Sequence, residues 1–533
     1  MKKNVLLFLC CLLAHLSCHS VQESSTAFSG EGYAVLCSSG MGLRDVEDLP
    51  APKSWRGIGT SELTITTSSD SAQHWFNQGL NHLHGFSHLE AWRAFREVVR
   101  LDPDCAMGYW GIGMCMPGFV GDDAAYWNTA IEQANRLAKK ATPLERGLIT
   151  AMALTAREGL EGAKTAWQAL VSDFPKEPEA LAFGAIMLRQ LVSSQQESDA
   201  IKSLLERALA QFPEHVGLNH YYVHALEVRP DYALAQGAAD KLPQLAPAAA
   251  HLLHMPGHLD FIRGDYAKAA TAFEAARAVE ENYHYREELP FAFNQNYLHN
   301  LHYLAVTYSE LGDQVRALEA AETYAKVSLD RVDPKGGIAL VQLFEGRSLP
   351  ALVNIRFGDY DAAIRQLTFW LSVAGSPVEE PMVRNYLEAL RLYCQGMEAI
   401  LAGDVGRARG CNERLSQQIN AYRLAGEQLV SAYTGELAGQ AFHRLLIRQY
   451  ELNGWLENTQ VDQPFRAVAW EQAEMFEAQF PYDEPPRLMY PVAESLARLH
   501  LRRGEISRAR EALNRALQIR PNSPRISGLL ATL

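Results

Sequence analysis

The sequence predicts an all-α protein, a solenoid of helix–turn–helix units stacked along one axis. From Gln73 onward apolar residues recur at helical spacing in runs separated by short turns. A pattern of small and large residues, first seen as Trp75, Gly79, Ala91, Phe95 and Pro103, returns downstream, several times in consecutive 34-residue register. Composition agrees: the chain has 533 residues, 48% hydrophobic and 21% charged, which supports a large core and excludes global disorder. The net charge of −13 and the lack of a basic patch argue against nucleic acid as a partner.

At the N-terminus, Lys2 and Lys3 precede the apolar run Val5–Ala14, and polar residues follow from His15. A charged start before an apolar stretch too short to span a bilayer is the pattern of a secretory signal. Residues 1–18 are therefore expected to be a signal peptide and the mature chain to be exported. The run ends in Ser17-Cys18, which resembles a bacterial lipoprotein signal and would make Cys18 an acylated anchor to the membrane. The alternative is simple cleavage and a soluble periplasmic protein. Residues 19–66 contain Ser, Gly and Pro without helical periodicity and read as a linker or loosely docked arm. The later cysteines, Cys37, Cys105, Cys115, Cys394 and Cys411, are widely spaced with no Cys-x-x-Cys, which argues against a disulfide framework or a zinc ribbon.

Counted from Ala72, Trp75 stands at position 4, Gly79 at 8, Ala91 at 20, Phe95 at 24 and Pro103 at 32. Small residues at 8 and 20 let two antiparallel helices approach, large ones at 4 and 24 fill the space between units, and proline at 32 stops the second helix. This spacing resembles the tetratricopeptide repeat, which implies a right-handed superhelix with a concave inner wall. Further matches are Ala163, Trp167 and Pro175; Gly257, Ala269 and Phe273; Leu304, Tyr308, Gly312 and Ala317; Gly358 and Ala363; and Ala509, Leu513, Ala516 and Pro521. The expected organisation is a solenoid over 67–283, an insertion at 284–297, a middle part over 298–417, atypical repeats at 418–460 and C-terminal units over 461–533.

Histidines follow the same period. His220 and His224 lie i,i+4 on one helix face with Glu227 three residues on, and 34 residues later they return as His254 and His258. His251, His299 and His302 complete the set. The repeat resemblance puts His220, His254 and His302 at position 5 of their units, His224 and His258 at 9, His251 and His299 at 2, and Glu227 at 12, the positions that line the groove in that family. Pro256 falls inside this helix and is expected to kink or break it. Imidazoles with a carboxylate suit Zn²⁺, Fe²⁺, Mn²⁺ or Cu²⁺, and i,i+4 pairs on neighbouring helices are how helical proteins hold such ions. The alternative is a polar groove for a peptide or another anionic ligand, or histidines partly satisfied in the core. His82, His84 and His88 flank the first turn, where a capping or turn role is expected.

Several segments also resemble a group of exported bacterial tetratricopeptide proteins. They include Phe76-x-Gln78-Gly79-Leu80, Asn219-His220-Tyr221-Tyr222-x-His224-Ala225-x-Glu227, His254-Met255-Pro256-x-His258 and Asn300-Leu301-His302. The resemblance implies the architecture and marks these residues without implying an activity. Three functional classes follow: a scaffold taking a protein or peptide in its groove, a metal-handling protein, and a metal-dependent enzyme. No Ser–His–Asp arrangement, His-Glu-x-x-His or phosphate-binding loop is present, so no catalytic residue is assigned.

Overall fold

The computed structural model describes residues 46, 48–116, 124–330, 332, 339, 341–373, 381–426, 432–480 and 484–533. The expected signal peptide, Cys18 and the first part of the arm lie outside them. Among the described residues the chain is helical and contains no strand.

Helices follow one another as hairpins. α1 (Asp70–His84) pairs with α2 (His88–Leu101), and α3 (Ala106–Met114) with α4 (Ala124–Leu137). α5 (Pro143–Asp173) is interrupted at Gly159, where φ is 74° and ψ 172°, and Trp167 beyond the break donates to the Thr155 hydroxyl before it (2.9 Å). α6 (Pro178–Arg189) pairs with α7 (Gln195–Gln211), α8 (Val216–Leu226) with α9 (Gln236–Leu245), and α10 (Ala250–Arg263) with α11 (Tyr266–Glu287). The pairs α12 (Gln295–Leu311) with α13 (Gln314–Ala325), α14 (Leu349–Phe357) with α15 (Tyr360–Ser372) and α16 (Pro381–Leu401) with α17 (Val405–Gly426) follow. α18 (Ala432–Glu457) packs on α19 (Val468–Glu477) and α20 (Val492–Arg502) on α21 (Ile506–Ile519), with α22 (Pro524–Ala531) closing the array.

The steric logic of the repeat is visible in the glycines. A Cβ on Gly79 would lie 2.7 Å from the Phe95 ring, and one on Gly257 would lie 2.4 Å from Phe273. The small residue at position 8 is thus the socket for the large one at 24, which is why the spacing recurs. Turns between paired helices end in left-handed glycines, Gly264, Gly312 and Gly358, with φ between 80° and 85°.

Two segments depart from expectation. The arm is firmly docked where it is described: Ile58, Leu63 and Ile65 are buried, Ser61 and Asn81 exchange two hydrogen bonds (2.9 and 2.8 Å), and Thr66 donates twice to Glu145. Its scattered apolar residues are too few to show a period, yet Leu63 and Ile65 join the main core and Trp55 packs on Tyr283 of α11. Pro256 does not break its helix: α10 runs from Ala250 to Arg263 through it. Packing against α11 and α12 outweighs the local cost.

The array also folds back on itself. α8 touches α1 and α22 touches α12. At the second contact Asn522 donates to the Arg263 carbonyl (3.1 Å), and buried Arg356 binds Glu310 (2.9 and 2.7 Å), Glu494 (3.2 Å) and the Met489 carbonyl (2.9 Å).

Candidate metal centre

α8, α10 and α12 are the first helices of three successive hairpins, so their matching positions face one another. His215 caps α8, its Nδ1 accepting from the Leu218 amide (3.1 Å). From there His220 and His224 project toward His251, His254 and His258 on α10 and His299 on α12. One ring nitrogen each of His220, His224 and His251 lies within 4.8 Å of the others, and the same holds for His254, His258 and His299. The two triads adjoin: ring centroids are 6.0 Å apart for His251–His254 and 6.2 Å for His224–His258.

Expected on the concave inner wall, these side chains are buried. His220 and His258 have no exposure, and His224, Glu227, His251, His254 and His302 are buried as well; His299 is partly covered. Distant segments seal the wall. Phe86, in the α1–α2 turn, lays its ring 4.6 Å from His220 and 5.5 Å from His224, centroid to centroid. Glu484, before α20, reaches His258 Nδ1 at 3.3 Å.

Hydrogen bonds fix which ring nitrogens carry protons. Asn300 donates its amide to the Phe273 carbonyl (2.7 Å), which leaves its oxygen to accept from His254 Nδ1 (2.7 Å). His254 Nε2 is therefore a bare lone pair. His220 Nδ1 donates to the His84 carbonyl (2.6 Å), so its Nε2 is bare too, and faces His251 Nε2 at 3.1 Å. Glu227 takes His224 Nδ1 on one oxygen (2.7 Å) and His258 Nδ1 on the other (3.1 Å). His258 Nε2 meets His254 Nε2 at 2.5 Å: with Glu227 ionised both nitrogens are lone pairs, and with Glu227 protonated His258 can carry its ring proton on Nε2 and donate to His254. Two lone pairs at that separation repel unless a cation or a proton lies between them. Buried His224 Nε2 has no partner. Imidazoles held through Nδ1 by carboxylate, amide or carbonyl oxygens, with Nε2 turned inward, are the orientation that metal-binding histidines adopt.

Burial pushes every imidazole of the two triads down, His224 to about 4 and His220, His251, His254, His258 and His299 well below the usual range. All are neutral, the form that ligates metals. Burial raises Glu227 to about 8 against Arg189 and a bond from Glu484, and raises Glu484 well above the usual carboxyl range. His224, Glu227 and Glu484 also offer ligand atoms within 4.8 Å of one another.

His302 stands apart, its Nδ1 3.9 Å from Glu345. Glu484, Asn300 and Phe86 were not singled out as site residues from the sequence. Asn300 could have been found, because it lies two residues before His302 on the same helix. Glu484 carries no such signal. A further group, His84, Glu179 and His215, is satisfied without an ion: both imidazoles bond Glu179 (2.7 and 2.9 Å), and His84 Nδ1 meets the Tyr221 hydroxyl (3.0 Å). It is a structural tie between the first, fourth and fifth hairpins. The cysteines described, Cys105, Cys115, Cys394 and Cys411, are free and buried, away from these groups.

Fold and site together define a helical-hairpin solenoid with a histidine-rich interior. Residues 492–533 match the family model described as a tetratricopeptide repeat. No curated protein matches the chain. Among solved structures, yeast Tom70 aligns at 10% identity and a TM-score of 0.28, covering 87% of this chain and 88% of that one. The Cut9–Hcn1 hetero-tetramer of APC/C aligns at 12% identity and 0.28, covering 86% and 89%. The P58(IPK) TPR domain aligns at 16% and 0.20, covering 76% and 98%. At these scores the likenesses do not bear on function. The repeat match supports a tetratricopeptide repeat protein, an architecture that suggests a protein-interaction scaffold.

Proposed function

We propose that this protein is a metal-binding tetratricopeptide repeat protein, with two transition-metal ions held in its interior, one by His220, His224 and His251 and one by His254, His258 and His299. The single observation that carries the reading is the convergence of six neutral imidazoles in two adjoining triads, each with ring nitrogens within 4.8 Å of one another, His254 Nε2 and His258 Nε2 among them at 2.5 Å. An ion about 2.0–2.1 Å from each nitrogen removes the repulsion and offsets the desolvation of the buried rings. Glu227 then acts by orienting His224 and His258. Zn²⁺, Fe²⁺, Mn²⁺ and Cu²⁺ all suit imidazole donors.

Three protein ligands leave a coordination position open, which favours a metal-dependent enzyme over simple storage as the second reading. A scaffold role falls to the outer faces of the array, because the inner wall at the histidines is closed to a peptide. Elemental analysis of protein purified without chelator or affinity tag should find about two metal ions per chain. His220→Ala combined with His254→Ala should remove them and lower the melting temperature, whereas His500→Ala, far along the chain, should leave the metal content unchanged. A wild type that carries no metal and whose melting temperature ignores added Zn²⁺, Fe²⁺, Mn²⁺ and Cu²⁺ would overturn the reading.

Export remains part of this proposal, supported by Lys2, Lys3 and the run Val5–Ala14, with a lipid anchor at Cys18. Cys18→Ser should then move the protein from the membrane fraction to the soluble periplasmic one. Unchanged fractionation would remove the anchor and leave export to be judged by processing at the N-terminus. Among the described residues no helix is long and apolar enough to cross a membrane.

A further inference from the structure

Phe86, whose ring packs against the first histidine triad, also lines a cavity between the α1–α2 turn, α11 and the start of α12. Trp55, Phe86, Tyr283 and Phe293 form its aromatic walls. Its free volume is about 70 Å³. At roughly 10–15 Å³ per enclosed water that admits on the order of five waters, or one small organic molecule of similar bulk.

Four polar atoms on residues that line it are buried without a hydrogen-bond partner: His82 Nε2, His88 Nδ1, His284 Nε2 and Glu90 Oε2. Two of them can only accept. His284 donates Nδ1–H to the Leu289 carbonyl (3.0 Å), so its Nε2 carries a lone pair. Glu90 spends its other oxygen on Arg93 (2.6 Å) and on the Tyr283 hydroxyl. A bare buried acceptor costs about 1–3 kcal/mol, and native proteins leave few of them. Several on one cavity call for a ligand that brings the donors.

Charge narrows the class. Arg93 is the one cation bound to both Glu90 (2.6 Å) and Glu287 (3.1 Å), so this group of three carries a net negative charge. An anion would meet lone pairs and carboxylates. A cation would meet acceptors beside aromatic side chains, of which Trp55 already carries the Arg286 guanidinium 4.0 Å from its ring centroid. Phe86 adds a further observation. Its φ is 51°, a left-handed conformation that is costly for a non-glycine residue, and it holds the ring between this cavity and the triad, 5.4 Å from His251 as well as near His220 and His224.

We infer that this cavity is a binding site for a small organic amine, an apolar or aromatic body carrying an ammonium group that donates to His284, Glu90 and His82. Phe86 is the partition between that ligand and the histidine triads. The inference does not depend on metal occupancy: elemental analysis reads the triads, and amine titration reads the cavity.

The test is calorimetric titration of the full chain with phenethylamine and, in parallel, with hydrocinnamate, which keeps the ring and the two-carbon spacer and replaces the amine with a carboxylate. The amine should bind at least about tenfold more tightly than the acid. Glu90→Gln and His284→Phe should each weaken amine binding about tenfold or more, with helical circular dichroism and metal content unchanged. Should one substitution unfold the chain, the other still decides. Equal binding of amine and acid, amine binding indifferent to the substitution in a folded variant, or no amine binding at millimolar concentration would each overturn the proposal.

Discussion

Replacing Arg356 with methionine is expected to destabilise the protein by about 3–5 kcal/mol, the range for removing one partner of a buried ion pair. Arg356 has no exposure, and neither do the side chains of Glu310 and Glu494 that it binds. Burial alone would raise the Glu494 carboxyl, but Arg356, Arg498 and Arg525 outweigh it and hold it at about 2. Without Arg356, the two-pronged contact to Glu310 disappears, and Arg520 remains on that carboxylate at 3.1 Å. The loss falls on the contact that joins α14 to α20, so the C-terminal hairpin should loosen first and become the earliest site of proteolysis. Pairing Arg356→Met with Glu494→Gln should recover part of the stability, because it removes a stranded charge together with its partner. A loss below about 1 kcal/mol for Arg356→Met would mean that the surrounding arginines already compensate both carboxylates.

Acid should destabilise the folded chain below about pH 6.5, where histidines titrate once the chain unfolds. Burial lowers His82 to about 3, with Arg93 acting in the same direction and Glu287 against it, and lowers His88 and His284 to about 4. In the unfolded chain these groups titrate near 6.5. Their folded values are depressed, so between pH 6.5 and about 4 the unfolded state binds protons that the folded state refuses. Stability is then full above 6.5 and lost as the pH falls, at up to about 1.4 kcal/mol per histidine per pH unit. Glu280 and Glu227, raised to about 8, Glu477, raised to about 7, and Glu484, also raised, oppose this in the same window, and the six triad imidazoles, lowered by burial like the other three, outnumber them. The urea midpoint should therefore drop between pH 7 and 5. His88→Leu should flatten that dependence, and a midpoint that does not change over this range would contradict the burial of these rings.

The repeat architecture was legible from local chemistry. Gly79 with Phe95 and Gly257 with Phe273 are contacts within single hairpins, 16 residues apart, so the sizes of the side chains at those spacings largely dictate how each hairpin closes. The histidine register was legible for the same reason: α8 and α10 belong to adjacent units of one period, and matching positions in stacked units must face one another. Two features escaped the period. Gly159 divides α5 through a single backbone rotation, and Pro256 stays within a helix because its neighbours hold it there.

Whether the inner wall is an open groove or a sealed interior depended on contacts between residues hundreds of positions apart. Phe86 meets His220, Glu484 meets His258, and Asn522 meets Arg263 only because the superhelix brings its ends against its middle. No spacing in the chain encodes those meetings. They arise from small rotations between successive hairpins, each set by packing, accumulated over the array. Periodicity in the residues was enough to place the imidazoles side by side. Their burial, their fixed tautomers, the second carboxylate and the cavity behind Phe86 come from the closure of the array, which excludes the water that would otherwise satisfy those nitrogens.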